Sequence, residues 1–310
     1  MTTNAANTWF FIALLAPALW AVGNHIDKYL LDKELKGMGI GPLLLFSSLV
    51  GLPAMAVILL LHPDVFSISP GNGALIVLNG ILYVLGLIPY YYALQRDEAS
   101  IVVPLFQTTA VFSYLFGLFV LDERLSALQI TACLLIVLGS ALLTLEIKWK
   151  LSRFKIDVFA LMLAASLLNA LNWLLFKYVA IQEDFWKTSF WEYVGFTVVA
   201  AGALLFCRSF RRELVIVLRE NRSRVLGLVG LNELVSLGAK TATNIASLAA
   251  PLALISTVHG LQPFFVLIYG VLLSLTAPLH FREDLTRGVM IQKLTAITLT
   301  VGGTLMLNTW

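Results

Sequence analysis

Glu233, Ser236, Lys240, Thr243, Asn244 and Ser247 follow one another at spacings of three and four inside a long apolar run, which lines them along one face of a helix. Leu231, Leu234, Val235 and Leu237 fill the opposite face. An ionisable group in hydrocarbon is costly, so it faces a cavity or a partner. Glu233 and Lys240 therefore read either as a cavity lining that binds opposite charges of a solute or exchanges a proton, or as two charges that satisfy each other or snorkel to the interface. In the next run His259, Gly260, Gln262 and Pro263 share one turn. Pro263 cannot donate to the carbonyl of His259, so a free carbonyl, an imidazole that titrates near neutrality and an amide gather beside a flexible glycine. The pattern reads as a kinked helix, hinged at Gly260 and Pro263, that presents polar groups to a solute, or as a packing kink whose histidine bonds a neighbouring helix. Either Glu233 or His259 is a candidate for proton coupling.

Two further sets run down helix faces: Trp20, Asn24, His25 and Lys28 near the start, and Asn169, Trp173 and Lys177 in the middle of the chain. Each ends in a lysine whose long stem suits an interfacial anchor. Asn24, His25, Asn169 and Trp173 lie deeper and are binding candidates, joined by Tyr83. Pro89 is a third hinge candidate, and the Tyr90-Tyr91-Tyr92 run behind it reads as a vestibule wall or as a headgroup-level belt. Glu192, close behind Trp186 and Trp191, reads as wetted at an interface.

The elements that position these residues follow from composition. The chain has 310 residues, 59% hydrophobic and 13% charged, with a mean hydropathy of +0.87; soluble domains are about a quarter charged. This is an all-α integral membrane protein, since runs this long satisfy their backbone in lipid only as helices. The runs are Trp9 to Leu31, Gly41 to Leu61, Ala74 to Gln95, Ile101 to Leu121, Leu125 to Leu145, Val158 to Ile181, Thr188 to Cys207, Val225 to Asn244, Pro251 to Leu275 and Gly288 to Leu307, about ten transmembrane helices. Helices broken by Pro17, Pro53, Pro89 and Pro263 are expected. The first run lacks a basic n-region and is kept as a spanning helix rather than a signal peptide.

The net charge of +3 is small and its arginines are not interleaved with aromatics, so nucleic acid is not an expected partner. Cys133 and Cys207 fall in apolar runs and read as buried thiols, with no metal or disulfide spacing. No phosphate-binding loop, nucleophile–base set or zinc spacing is present, so no catalytic residue, metal or cofactor is assigned.

The polar stretch EIKWKLSRFKID divides the chain into residues 1–147, a connector at 148–157, and residues 158–310, with five helices on each side. Five is odd, so the second unit enters the membrane in the opposite sense. Lys148, Lys150, Arg153 and Lys155 of the connector and the six arginines between Arg208 and Arg224 fall on one side. The positive-inside rule then puts the connector in the cytoplasm and both termini outside the cell membrane, the inner membrane in a bacterium.

Glu123-Arg124-Leu125-Ser126 joins two apolar runs, and Gly139-Ser140 follows in the second of them. Glu283-Asp284-Leu285-Thr286 and Gly302 repeat the pattern, Ser256 to Gly270 lies over Val103 to Gly117 with Gln107 on Gly260, and Lys28-Tyr29 lies over Lys177-Tyr178. This hairpin resembles that of the EamA family of the drug/metabolite transporter superfamily. The resemblance implies two inverted-topology five-helix repeats and the export or exchange of a small polar metabolite, amino acids being the commonest proposal, by alternating access driven by protons or by the solute's own gradient. Family termini are commonly cytoplasmic, against the charge bias here. Gln107 is expected to partner the turn at Gly260. Gly139, Ser140, Gly302 and Gly303 are expected to let the fifth and tenth helices pack closely, and the resemblance places those helices at an interface, so the protein is a monomer or a homodimer. Competing expectations are a flippase for lipid-linked headgroups and a non-transporting membrane scaffold or sensor.

Overall fold

The apolar runs fold as helices. A computed structural model describes residues 3–121, 126–143, 145–148, 151–219, 223–249, 255, 258–277 and 286–307. The helices are α1 (Thr3–Tyr29, extended by a π-helical turn at Leu30–Glu34), α2 (Gly41–Leu49), α3 (Gly51–Leu61), α4 (Pro70–Arg96), α5 (Ala99–Leu105), α6 (Thr108–Leu121), α7 (Ala127–Leu143), α8 (Ile156–Gln182), α9 (Phe185–Phe206), α10 (Arg208–Arg219), α11 (Ser223–Ala249), α12 (Gln262–Thr276) and α13 (Arg287–Leu307). Among the described residues six helical stretches are long and apolar enough to cross a membrane: Phe10–Glu34, Gly41–Leu61, Pro70–Arg96, Ile156–Gln182, Phe185–Phe206 and Ser223–Ala249. The outer face is apolar, with Leu60 84% and Phe206 83% exposed, while Asn79, Asn172 and Glu192 are fully buried. Apolar outside and polar inside is the pattern of a multi-pass membrane protein.

Several expectations change. Pro17 and Pro89 sit inside unbroken α1 and α4; a proline removes one donor, and α4, held along α8 and α9, absorbs that loss without breaking. The breaks fall instead at Val50, before Pro53, and at Phe106-Gln107, after Pro104, where the chain tightens through Gln107 N–H donating to the Pro104 carbonyl at 3.0 Å. The connector is not purely irregular: Leu145–Lys148 (β1) and Leu151–Phe154 (β2) form an antiparallel hairpin with Glu146 opposite Arg153. The basic segment after Cys207 is ordered as well. It folds as α10, an arginine-rich amphipathic helix that buries Leu214 and Val217. Cys207 itself is exposed, because α9 ends just before it. The side chain of Cys133 and the turns Glu123-Arg124-Leu125 and Glu283-Asp284-Leu285 lie outside the described residues.

α1 lies along α11, α4 along α8 and α9, α7 along α13, and α12 against α1 and α5. Glycines set the closest approaches. A Cβ on Gly80 would fall 2.0 Å from the Glu192 carbonyl oxygen and one on Gly195 2.2 Å from that of Val77, so α4 and α9 touch backbone to backbone. The expected contact of the fifth and tenth apolar runs is made within the chain: Gly139 abuts the Ala296 carbonyl of α13 and Gly303 the Ala132 carbonyl of α7, whereas Gly302 faces open space.

Polar contacts fix which helix ends lie together. Lys28 donates to the Leu94 carbonyl at 2.7 Å, Arg224 to the Tyr29 hydroxyl at 3.0 Å, and Arg96 pairs with Asp157 at 3.0 Å. The ends of α1 and α4 and the starts of α8 and α11 therefore meet, together with the Lys155–Asp97 pair (2.7 Å) and the Lys293–Glu98 pair; this is the basic end. Opposite it, Glu183 accepts from Asn72 Nδ2 at 2.8 Å and from Ser69 N–H at 3.1 Å, bringing the start of α4 to the end of α8. Those bonds hold the half-buried Glu183 carboxyl below the usual glutamate range. Asp184 caps α9 through the Trp186 amide at 2.8 Å, and Trp191 Nε1 reaches the Val65 carbonyl at 2.8 Å. This is the turn end.

Candidate functional site

A central cavity of about 120 Å³ is walled by Trp20, Asn24 and Asp27 of α1, Ser47 of α2, Tyr83, Tyr90 and Tyr91 of α4, Asn169 and Trp173 of α8, and Phe196 of α9. Glu233, Ser236, Lys240, Thr243 and Asn244 of α11 complete it with Phe106, Gln107, Thr109, His259 and Gln262. A cavity of roughly 150 Å³ accepts benzene, so this one suits a small molecule. The candidate residues Asn24, Tyr83, Gln107, Asn169, Trp173, Glu233, Lys240, Asn244, His259 and Gln262 are brought together on its walls. His25 is not: its Nε2 meets the Val266 carbonyl at 2.8 Å and ties α1 to α12. Tyr90 and Tyr91 are buried here while Tyr92 is exposed, so the run divides between vestibule and surface.

The break at Phe106-Gln107 meets a second one, the turn at Gly260-Leu261 that precedes α12. Gln107 Nε2 donates to the His259 carbonyl at 3.3 Å, the acceptor that Pro263 leaves without its helical partner. The His259 ring packs edge-on to Trp173 with centroids 4.9 Å apart, and its Nε2 lies 3.1 Å from Thr243 Oγ1. Gln262 Nε2 donates to Asn24 Oδ1 at 2.9 Å, and Asn24 Nδ2 to the Tyr90 hydroxyl at 2.8 Å.

That chain continues toward the basic end. The Tyr90 hydroxyl donates to Asp27 Oδ2 at 3.2 Å, and Asn232 Nδ2 to Asp27 Oδ1 at 2.7 Å. Ser47 Oγ donates to Glu233 Oε1 at 2.6 Å and lies 2.9 Å from the Tyr91 hydroxyl. Asp27 and Glu233 are thus two buried carboxyls held by neutral partners. Asp27 escaped the sequence reading, which stopped at its neighbour Lys28; its position on the face of Trp20 and Asn24 was the available signal.

Toward the turn end, Glu192 is fully buried rather than wetted. Its Oε1 accepts from Asn79 at 3.0 Å and Asn172 at 2.9 Å and pairs with Lys240 Nζ at 3.0 Å. Lys240 also contacts Asn172 Oδ1 at 3.3 Å and sits 4.2 Å from the centre of the Tyr83 ring, which stacks on Phe196. Lys240 therefore satisfies Glu192, and neither Glu233 nor the headgroup region. Glu192 Oε2 and Asn79 Oδ1 remain buried without a hydrogen-bond partner among the described residues. Asn79 and Asn232 stand at the same place counted from the starts of α4 and α11, two helices of 27 residues each. No group of three or more His, Cys, Asp or Glu among the described residues is placed to hold a metal ion.

Comparison with known proteins fits this arrangement. The model of the EamA-like transporter family matches residues 7–145. Residues 7–145 belong to that family. An uncharacterized protein of Methanocaldococcus jannaschii is 26% identical over 142 residues, which is 45% of this chain and 98% of the archaeal protein. A solved crystal structure of another protein, 13% identical, superposes with a TM-score of 0.55 over 99% of this chain and 97% of its own, a likeness of fold alone. The chain is thus a multi-pass membrane protein whose residues 7–145 are similar to a transporter family.

Proposed function

We propose that the protein is a secondary carrier, not an enzyme, that exports or exchanges a small polar organic metabolite by alternating access. One observation carries this reading: a cavity lined by polar groups from helices of both halves, with a buried polar cluster toward either end, inside a bundle whose outer face is apolar. In this reading residues 1–147 and 158–310 are two inverted five-helix units. The matching places of Asn79 and Asn232, the interruptions at Gln107 and Gly260, and an archaeal relative about one unit long support it. Each cluster joins the first two helices of one unit to the third of the other: α1 and α2 with α11, and α8 and α9 with α4. Opening one end while closing the other then needs only an exchange of two packings.

The basic end lies in the cytoplasm in this account, with both termini outside the cell membrane. Glu233 or His259 couples protons to the cycle, and a Glu233→Gln protein whose transport keeps the wild-type pH dependence would remove Glu233 from that role. The cavity volume favours a small solute over a lipid-linked headgroup. The test is counterflow in proteoliposomes preloaded with unlabelled amines, amino acids and related metabolites. Saturable uptake of a labelled compound that falls in a folded His259→Ala protein supports the carrier; no exchange of any compound by folded protein refutes it.

A further inference from the structure

The cavity is unbalanced in charge. Asp27 and Glu233 bring two carboxyls to its walls, and the ammonium of Lys240 is engaged with Glu192, which is not a lining residue. No cation among the described residues pairs with either carboxyl. Asp27 is bonded to Tyr90 and Asn232, and Glu233 to Ser47, all neutral. On the surrounding elements Lys28 is held by the Leu94 carbonyl and Asp32 (3.1 Å), His25 by the Val266 carbonyl, and Arg224 lies against Tyr29 and Glu34. The other titratable groups lining the cavity, among the described residues, are the hydroxyls of Tyr83, Tyr90 and Tyr91 and the imidazole of His259, whose Nε2 lies 3.1 Å from Thr243 Oγ1.

Two like charges buried without a counter-charge cost more than a fold can sustain, so a cation in the cavity or protons on the carboxyls must balance them. Two further observations point to a ligand. Thr109 is only 3% exposed and lines the same cavity, yet its hydroxyl has no hydrogen-bond partner among the described residues. The Tyr83 ring already carries one ammonium, that of Lys240, on its face, and Tyr90 and Phe106 add aromatic wall with centroids 5.4 Å apart.

We propose that Asp27 and Glu233 together bind the ammonium group of a small amine, so that the solute is an organic cation rather than an anion or a zwitterion. A zwitterion's carboxylate would find Lys240 already paired with Glu192 and the His259 ring against Thr243 and Trp173, whereas its ammonium alone is matched by two carboxyls. Binding exchanges one cation for one proton, which leaves the carboxyls for water. The inference rests on the carrier reading only for the claim that the ligand is transported.

The test is isothermal titration of the full-length protein in detergent with n-butylammonium, set against butyrate and n-butanol as anionic and neutral counterparts of the same length. The expected result is saturable binding of n-butylammonium alone, with proton release seen as a dependence of the heat on the ionisation enthalpy of the buffer. A D27N/E233Q protein with wild-type melting behaviour binds it at least tenfold more weakly. Absent binding, butyrate binding as tightly, no proton release, or undiminished binding to D27N/E233Q overturns the proposal. Should that variant not fold, the proton release and the three-compound comparison decide on the wild-type protein. Ammonium binding without counterflow of any amine keeps the site and refutes the carrier; counterflow of an anion or neutral solute that D27N/E233Q leaves unchanged does the reverse.

Discussion

The polar clusters toward the two ends of the cavity differ in charge. At the turn end, Glu192 and Lys240 neutralise each other, and Asn79 and Asn172 hold the carboxylate. At the basic end, Asp27 and Glu233 are bonded to hydroxyls and an amide, and no cation among the described residues pairs with either. A paired cluster closes a passage by bonding to itself, whereas an unpaired one leaves charge for something else to meet. The difference separates a residue set that holds helices together from one that holds a ligand.

The largest effect expected of any single change is at the turn-end crossing. Gly80→Ala forces a methyl to 2.0 Å from the Glu192 carbonyl oxygen, a clash between two backbones that no rotamer change relieves, so its cost lies above both the roughly 1–3 kcal/mol of ordinary overpacking and the cost of the stranded charge below. The yield of folded protein and its melting temperature in detergent should fall sharply, whereas Gly302→Ala, which meets nothing within 4 Å, should leave both unchanged. Next comes the ion pair. Glu192→Leu or Lys240→Met alone strands a buried charge at a cost of about 3–5 kcal/mol, and the double variant should recover most of it in a thermal-melting cycle. D27N/E233Q strands no charge, so its melting temperature should match or exceed the wild-type value; a fall as large as that of Glu192→Leu would mean the two clusters are alike. The smallest effect is at the breaks. Gln107→Leu leaves the His259 carbonyl without its donor and should cost about 1 kcal/mol, read as a modest loss of melting temperature.

Hydropathy and periodicity revealed most of the fold, because lipid allows long apolar runs little besides helices. The polar stripe of α11 and the turn at His259 were legible for the same reason: polar groups in such runs stand out. The Gln107 contact follows from laying residues 103–117 over residues 256–270. What stayed hidden depended on partners distant in sequence. Nothing local distinguishes a Glu192 wetted beside tryptophans from one buried against Lys240, and nothing in the sequence of α4 shows that Asn79 meets α9. Asp27 was passed over beside a lysine with a plainer role. The α10 helix was hidden because a charge-rich segment reads as a loop until its two apolar contacts, Leu214 and Val217, are placed.

The central claim is that solute binds at the basic-end carboxyls while the turn-end cluster governs passage. Counterflow kinetics in proteoliposomes compare the two directly, through Glu233→Gln at one end and Asn79→Ala at the other. The account predicts that Glu233→Gln raises the half-saturating concentration at least tenfold, while Asn79→Ala changes the maximal rate and leaves half-saturation within about twofold. The same kinetic change in both variants, or no saturable exchange by the wild-type protein, would contradict it.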